Sequence, residues 1–387
     1  MISHIPHSLL RRAMNIAVET VSDPPSNDPE TGLPQLPWWA WLVYLADFIV
    51  LLPVLILTSY TLQKVFPVFA IIEDENPPAY EPVALDFDVS GSGSVPRAPV
   101  PTGGNNPVNK TASAAVPTTP VAHNAQPITT SFRATWRLLK SHGGFRAIFR
   151  GLACYAFQGV VNGILVGFFT LILGSFFSVV ASLIASLLLV QYSTAWVHIV
   201  ITPRSPTHFW RRLPAFRPTF EATWRPVALF WFSNALANWA PFLFSFILNV
   251  KFPEFPSDLS AQVPTTNESW KILIIVLLSI AVRLFMVVPS YVTLVRVQAS
   301  LLPDDLETII PFDRTFQGKV EPAIVSGRGY VSLVDAWSTF SKAAWRRLVI
   351  LYVKILAITT ASTFLIFALF GTQTLLFVSK SDNSTNQ

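Results

Sequence analysis

The stretch from Ile272 to Leu302 limits this chain more than any other. From Ile272 to Val288 it is apolar except for Ser279 and Arg283. A run of this length spans most of the hydrocarbon core of a bilayer when helical. Pro289 follows without a break, and Arg296 and Gln298 come in an amphipathic tail seven and nine residues later. Proline removes one helical N–H and clashes with the preceding turn, so it kinks a helix. A membrane helix tolerates the kink when neighbours take up the freed carbonyl. Similar apolar stretches predict further helices over Trp38–Gln63, Leu152–Leu173, Phe176–Ile201, Val227–Val250 and Leu348–Val378.

Composition agrees with six spans. Hydrophobic residues make up 51% and charged residues 13% of the 387, about half the charged share of an ordinary soluble domain. The expected fold class is all-α, a polytopic integral membrane protein with the bilayer as its first partner. Cys154 is the lone cysteine, which excludes an intrachain disulfide and a CxxC metal site. The six histidines are scattered, and no hydrolase triad, HExxH, P-loop or dinucleotide fingerprint occurs in a fitting context. The expectation is therefore a non-enzyme with neither cofactor nor metal. Arginines and aromatics do cluster between the helices, but they adjoin membrane segments, where interfacial anchoring accounts for them; nucleic acid is not expected as a partner.

Residues 1–37 read as a tail broken by Pro24, Pro25, Pro34 and Pro37 rather than a signal peptide. Residues 38–72 hold the first helix and its polar end, opened by the aromatic belt Trp38, Trp39 and Trp41. Residues 73–130, beginning Glu73-Asp74-Glu75, are rich in Pro, Ala, Ser and Thr and are expected to be a disordered linker. Within it Pro77-Pro78-Ala79-Tyr80 resembles a PPxY ligand, in which prolines preset polyproline II and Pro77, Pro78 and Tyr80 meet a WW domain. Residues 131–378 hold the other five helices and their surface helices, and 379–387 a second tail. Phe132, Trp136 and Leu139 against Arg133, Arg137 and Lys140 predict a basic amphipathic helix. Gly159, Gly163 and Gly167 predict a smooth stripe for helix contact.

Pro289, with Arg296 and Gln298 after it, resembles the odd-numbered helices of the mitochondrial carrier family. Those read proline, acid, two residues, base, then a polar end; Tyr291 and Leu294 here replace the acid and the first base. Phe149-Arg150-Gly151 resembles the family's turn of aromatic, base and glycine, with His142 in place of an acid. Pro53 and Tyr60 match Pro289 and Arg296 in spacing, and Gln191 and His198 occupy those positions in the third helix. Ala134-Thr135-Trp136-Arg137 is echoed by Ala222-Thr223-Trp224-Arg225 and by Asp335-Ala336-Trp337, as a threefold repeat of about 100 residues would require.

The resemblance implies a pseudo-threefold six-helix bundle with a surface helix after each odd helix, and favours a mitochondrial membrane, with another intracellular membrane or the plasma membrane as the alternatives. Basic residues collect after helices one, three and five, which puts both termini on the opposite side. Asp47 and Arg283 are charges within apolar spans, each six residues before a helix proline, Pro53 or Pro289. Charges at membrane depth face a bundle interior, a cavity or a partner. With Asn162, Asn234 and Asn238 they are the expected residues for binding or gating a small solute, and Asp47 is expected to pair with Arg283. The leading functional expectation is a divergent carrier-type transporter. The alternative is a non-transporting scaffold or adaptor that recruits a WW-domain protein, such as a ubiquitin ligase, through the linker.

Overall fold

The computed structural model describes residues 38–74, 127–250, 266–320 and 329–385. Every regular element among them is helical. Five helices, Trp39–Ile72, Phe145–Leu173, Phe216–Ile247, Ser269–Ser300 and Lys342–Phe377, are long and apolar enough to cross a membrane. The pair Ser175–Leu188 and Val190–Ile201, bent by 57°, makes a sixth if it counts as one span.

The first span contains α1 (Trp38–Ile56), a π-helical run (Leu57–Val65) and α2 (Phe66–Ile72). It continues past Gln63, the end expected from the sequence. α3 (Phe132–Ser141) is the expected amphipathic helix, with Leu139 and Thr135 buried. α4 (Leu152–Leu173) leads through Gly174 into the bent pair α5 (Ser178–Leu188) and α6 (Val190–Ile201). α7 (Phe216–Ile247) starts eleven residues before the expected Val227, so the second half of the basic segment 202–226 is already helical. α8 (Thr266–Val282), a π-helical run (Arg283–Val287) and α9 (Val288–Ser300) form the fifth span. The surface helix expected over Tyr330–Trp345 is the short α10 (Leu333–Ser338), and the last span is α11 (Lys342–Thr385). α11 therefore includes most of the tail expected from residue 379.

Each odd span is interrupted near its proline position. At Pro289, which cannot donate to the carbonyl of residue 285, the π-helical run Arg283–Val287 absorbs the mismatch. After Pro53 the helix widens from Leu57, and Thr58 and Ser59 return their hydroxyls to Val54 O and Leu55 O. In the third span, where Gln191 stands at the proline position, the helix bends by 57° at Leu189.

The described residues divide into two compact units. The larger holds Val54–Asn238 and Val282–Thr360. Its core is built where the odd spans end. All seven residues of α2 are buried, and Phe66, Phe69, Ile71 and Ile72 share one apolar cluster with Val197, Val200 and Ile201 of α6, Val292 and Val295 of α9 and Leu348 of α11. α2, α6 and α9 touch one another pairwise. The smaller unit comprises the described parts of Met1–Pro53, Trp239–Ala281 and Ala361–Gln387. Its side chains are mostly exposed and apolar, as lipid-facing helices are. Inside it Tyr44 meets Phe370 and Phe377, and its hydroxyl bonds Thr374 Oγ1 at 2.7 Å. The glycine stripe of α4 is not used as expected: a Cβ at Gly159, Gly163 or Gly167 would meet no neighbour within 4 Å.

Candidate functional site

The polar chemistry of the larger unit gathers at the ends of the three odd spans. Tyr60, His198 and Arg296, the residues seven beyond the proline position in each, are all buried, at 3%, 4% and 9% exposure. Each ties its helix to another. Tyr60 donates its hydroxyl proton to Arg150 O and accepts from Trp196 Nε1 at 2.9 Å, joining spans one and three. His198 Nε2 lies 2.8 Å from Gln298 O, joining spans three and five. A carbonyl only accepts, so the imidazole carries a proton on Nε2. The Gln298 side chain continues the link by donating to Ser193 Oγ at 2.9 Å. Arg296 Nη1 reaches Ile71 O at 3.4 Å, joining spans five and one, and Nη2 donates to Thr339 Oγ1 at 2.8 Å. Its guanidinium carbon lies 4.9 Å from the Phe316 ring centre and 5.5 Å from that of Phe340, so the buried charge is held by ring faces and hydrogen bonds.

Gly151 locks the first tie. Its φ is +74°, and a Cβ there would stand 3.1 Å from both Tyr60 OH and Trp196 Cδ1. Only glycine meets the backbone and the space requirement together.

A second constellation closes the larger unit at the end of α2. Glu73 is 6% exposed. Its carboxylate accepts from Ile128 N, from Thr129 N at 3.2 Å and from the Thr129 hydroxyl. It also faces Arg347 Nη1 of α11 at 3.9 Å, while Arg347 Nη2 donates to Glu73 O at 3.4 Å. Asp74 N then donates to Pro311 O at 2.9 Å. Glu73 and Asp74, expected to open a disordered linker, instead belong to the folded body, because a buried carboxylate is stable when backbone donors and a cation surround it.

Asn238 and Arg283 come together: Arg283 Nη2 donates to Asn238 Oδ1 at 3.0 Å on the exposed side of their helices. Asn234 spends its amide on its own helix, donating to Phe230 O at 2.8 Å. Asn162 is half-buried on α4. Asp47 lies in the smaller unit, half-buried, with Oδ2 enclosed and without a hydrogen-bond partner among the described residues. Asp47 and Arg283 belong to different units, and each is described within its own. Pro53 lies inside α1 and Pro289 in the first turn of α9. Pro77, Pro78 and Tyr80 lie outside the described residues. Among the described residues no cluster of three His, Cys, Asp or Glu side chains could hold a metal.

Sequence reasoning passed over Glu73, Arg347 and Gly151 as site residues, and noted Tyr60, His198 and Arg296 only as repeat positions. The available signal was a polar residue at one fixed offset in three apolar helices. No family model, no curated protein and no solved structure matches this chain.

Proposed function

We propose that this integral membrane protein is a divergent carrier-type transporter for a small polar solute, built as a pseudo-threefold bundle. The observation that carries the reading is the cycle of ties from span one to three, three to five and five to one. Each uses the residue at the same offset in its helix. A carrier needs its odd helices closed against one another at one membrane face. Here buried hydrogen bonds and apolar packing join the ends of those helices. Arg283 and Asn238, at the level of the Pro289 interruption, supply hydrogen-bonding groups for a solute.

The test is uptake into liposomes by the purified full chain, using labelled carboxylates, amino acids and nucleotides. The expected result is saturable exchange of one class, lowered at least tenfold by Arg283→Gln and by Asn238→Leu with folded protein retained. Folded protein that moves none of the three classes sinks the transport reading.

The second reading, a membrane scaffold, is favoured by the Glu73 clamp. Asp74 is fixed to Pro311, and the PPxY-like motif begins three residues further along the chain. Binding of a peptide spanning 74–84 to an isolated WW domain, lost on Tyr80→Ala, supports it; absence of binding up to millimolar concentration removes it. Both readings favour a mitochondrial membrane. Fractionation of a tagged chain tests this; Asn267-Glu268-Ser269 is a glycosylation acceptor sequence, and an endoglycosidase-sensitive mass shift removed by Asn267→Gln would overturn it.

A further inference from the structure

Three arginines are buried among the described residues: Arg150, Arg296 and Arg347, at 7%, 9% and 9% exposure. Two of them have a carboxylate in view. Arg347 faces Glu73 at 3.9 Å, and the Asp313 charge acts on Arg296. Arg150 differs. Its Nη1 reaches Val200 O at 3.5 Å, and its Nη2 has no hydrogen-bond partner among the described residues. The charges that act on it are those of Arg212 and Arg204, and both repel it. Glu221, the single acid between Thr202 and Pro226, is not among the groups that offset it. A buried charge is costly unless an opposite charge stands nearby.

The three guanidiniums converge because the chain folds back on the end of α6. Arg150 lies in the turn before α4 and bonds the last turn of α6. Arg204 follows the end of α6 by three residues. Arg212 ends the turn Phe209–Arg212 and donates Nη2 to Thr202 Oγ1 at 2.8 Å, which holds it against the same helix end. Arg204 is exposed and Arg212 half-buried. Apart from that bond to Thr202, neither makes a hydrogen bond or ion pair among the described residues. Their free N–H groups are not enclosed, so a ligand can reach them without touching Arg150.

A guanidinium fork matches the oxygens of a phosphate. Three positive charges, one of them fixed in the interior, favour a dianion over a monoanion. We infer that Arg204 and Arg212 bind a phosphate monoester at the end of α6, with the Arg150 charge strengthening the site from behind. A free phosphate or phosphorylated metabolite and the headgroup of phosphatidate share this chemistry. The site uses neither Arg283 nor Asn238 and stands whether or not the chain transports a solute.

Thermal unfolding of the purified full chain in detergent provides the test. Inorganic phosphate and glycerophosphate are the probes. Dimethyl phosphate, a monoanionic diester, and chloride at matched ionic strength are the controls. A monoester at a hundredfold excess over its Kd is expected to raise Tm by on the order of 5 °C, and the controls are not. A shift with the soluble probes identifies a free phosphate. A shift seen only in phosphatidylcholine nanodiscs doped with phosphatidate, and not with phosphatidylglycerol, identifies the lipid. Arg204→Gln, and separately Arg212→Gln, should lose the gain. In chloride alone Arg204→Gln should unfold slightly later than the unaltered chain, because one of the charges repelling Arg150 is gone. Arg225→Gln, which removes an arginine stacked on Trp224, should keep the full gain. No shift with any monoester, an equal shift with dimethyl phosphate or phosphatidylglycerol, an equal loss in Arg225→Gln, or a full gain in folded Arg204→Gln overturns the inference.

Discussion

The two compact units solve the problem of an apolar chain differently. Among the described residues, every one of the largest fully enclosed side chains, Phe66, Phe69, Phe316 and Leu348 included, belongs to the larger unit. The smaller unit leaves Trp41, Phe48, Phe246, Leu273 and Phe364 more than half exposed. Lipid tails are as apolar as leucine, so enclosing such residues within protein gains little where the membrane already surrounds them. What specifies the larger unit is therefore its polar ties and its close packing. The smaller unit, with the Tyr44–Thr374 bond and the rings around it, relies more on its membrane surroundings. Equivalent substitutions should be felt far more strongly in the larger unit.

The largest expected effect is at Arg347. Arg347→Ala strands the Glu73 carboxylate in the core, and removal of one partner of a buried pair costs about 3–5 kcal/mol. Unfolding in detergent should show the loss, and Glu73→Gln combined with Arg347→Leu should recover part of it. Additive losses from the two single changes would mean that the pair is not coupled.

Gly151→Ala comes next, at about 2–4 kcal/mol, from a left-handed backbone and a methyl forced against Tyr60 and Trp196. Tyr60→Phe should relieve part of that cost, because one of the close contacts is the Tyr60 hydroxyl. In the smaller unit, Thr374→Val removes the bond to Tyr44 and should cost about 0.6 kcal/mol, the average for such bonds in a bilayer. A cost equal to that of Gly151→Ala would erase the contrast between the units.

The smallest effect is acidic. The folded-state pKa of Asp313 lies below its ordinary value. Its contribution is therefore present above the unfolded-state pKa and is lost as pH falls through the folded-state pKa. Asp313→Asn should flatten the acid limb of the stability profile and leave its neutral plateau little changed in shape.

Much of the architecture was legible because apolar length and period are local. The spans, the amphipathic α3 and the interruptions near Pro53 and Pro289 follow from residues close in sequence. The clamp was not legible, because Glu73 and Arg347 lie 274 positions apart. Glu73 also stands among acids and prolines that read as solvated chain. The start of α7 was hidden for a related reason: the arginines and prolines of 216–226 look like loop, yet Ala222, Thr219 and Thr223 are buried. The offset shared by Tyr60, His198 and Arg296 was visible, but three unlike side chains give no common chemical signature. Their common use, a bond to a neighbouring helix, appears only in three dimensions.

Glu73 has a further consequence. One carboxylate holds the chain at position 73 and again at 128 and 129, 55 and 56 positions later. The described residues at 73 and at 128–129 are thus held at one point of the membrane body, whatever separates them in sequence. Since closure entropy grows only with the logarithm of the length of chain between two fixed points, lengthening the chain between 74 and 127 by a whole folded reporter should cost little stability while the Glu73 tie holds.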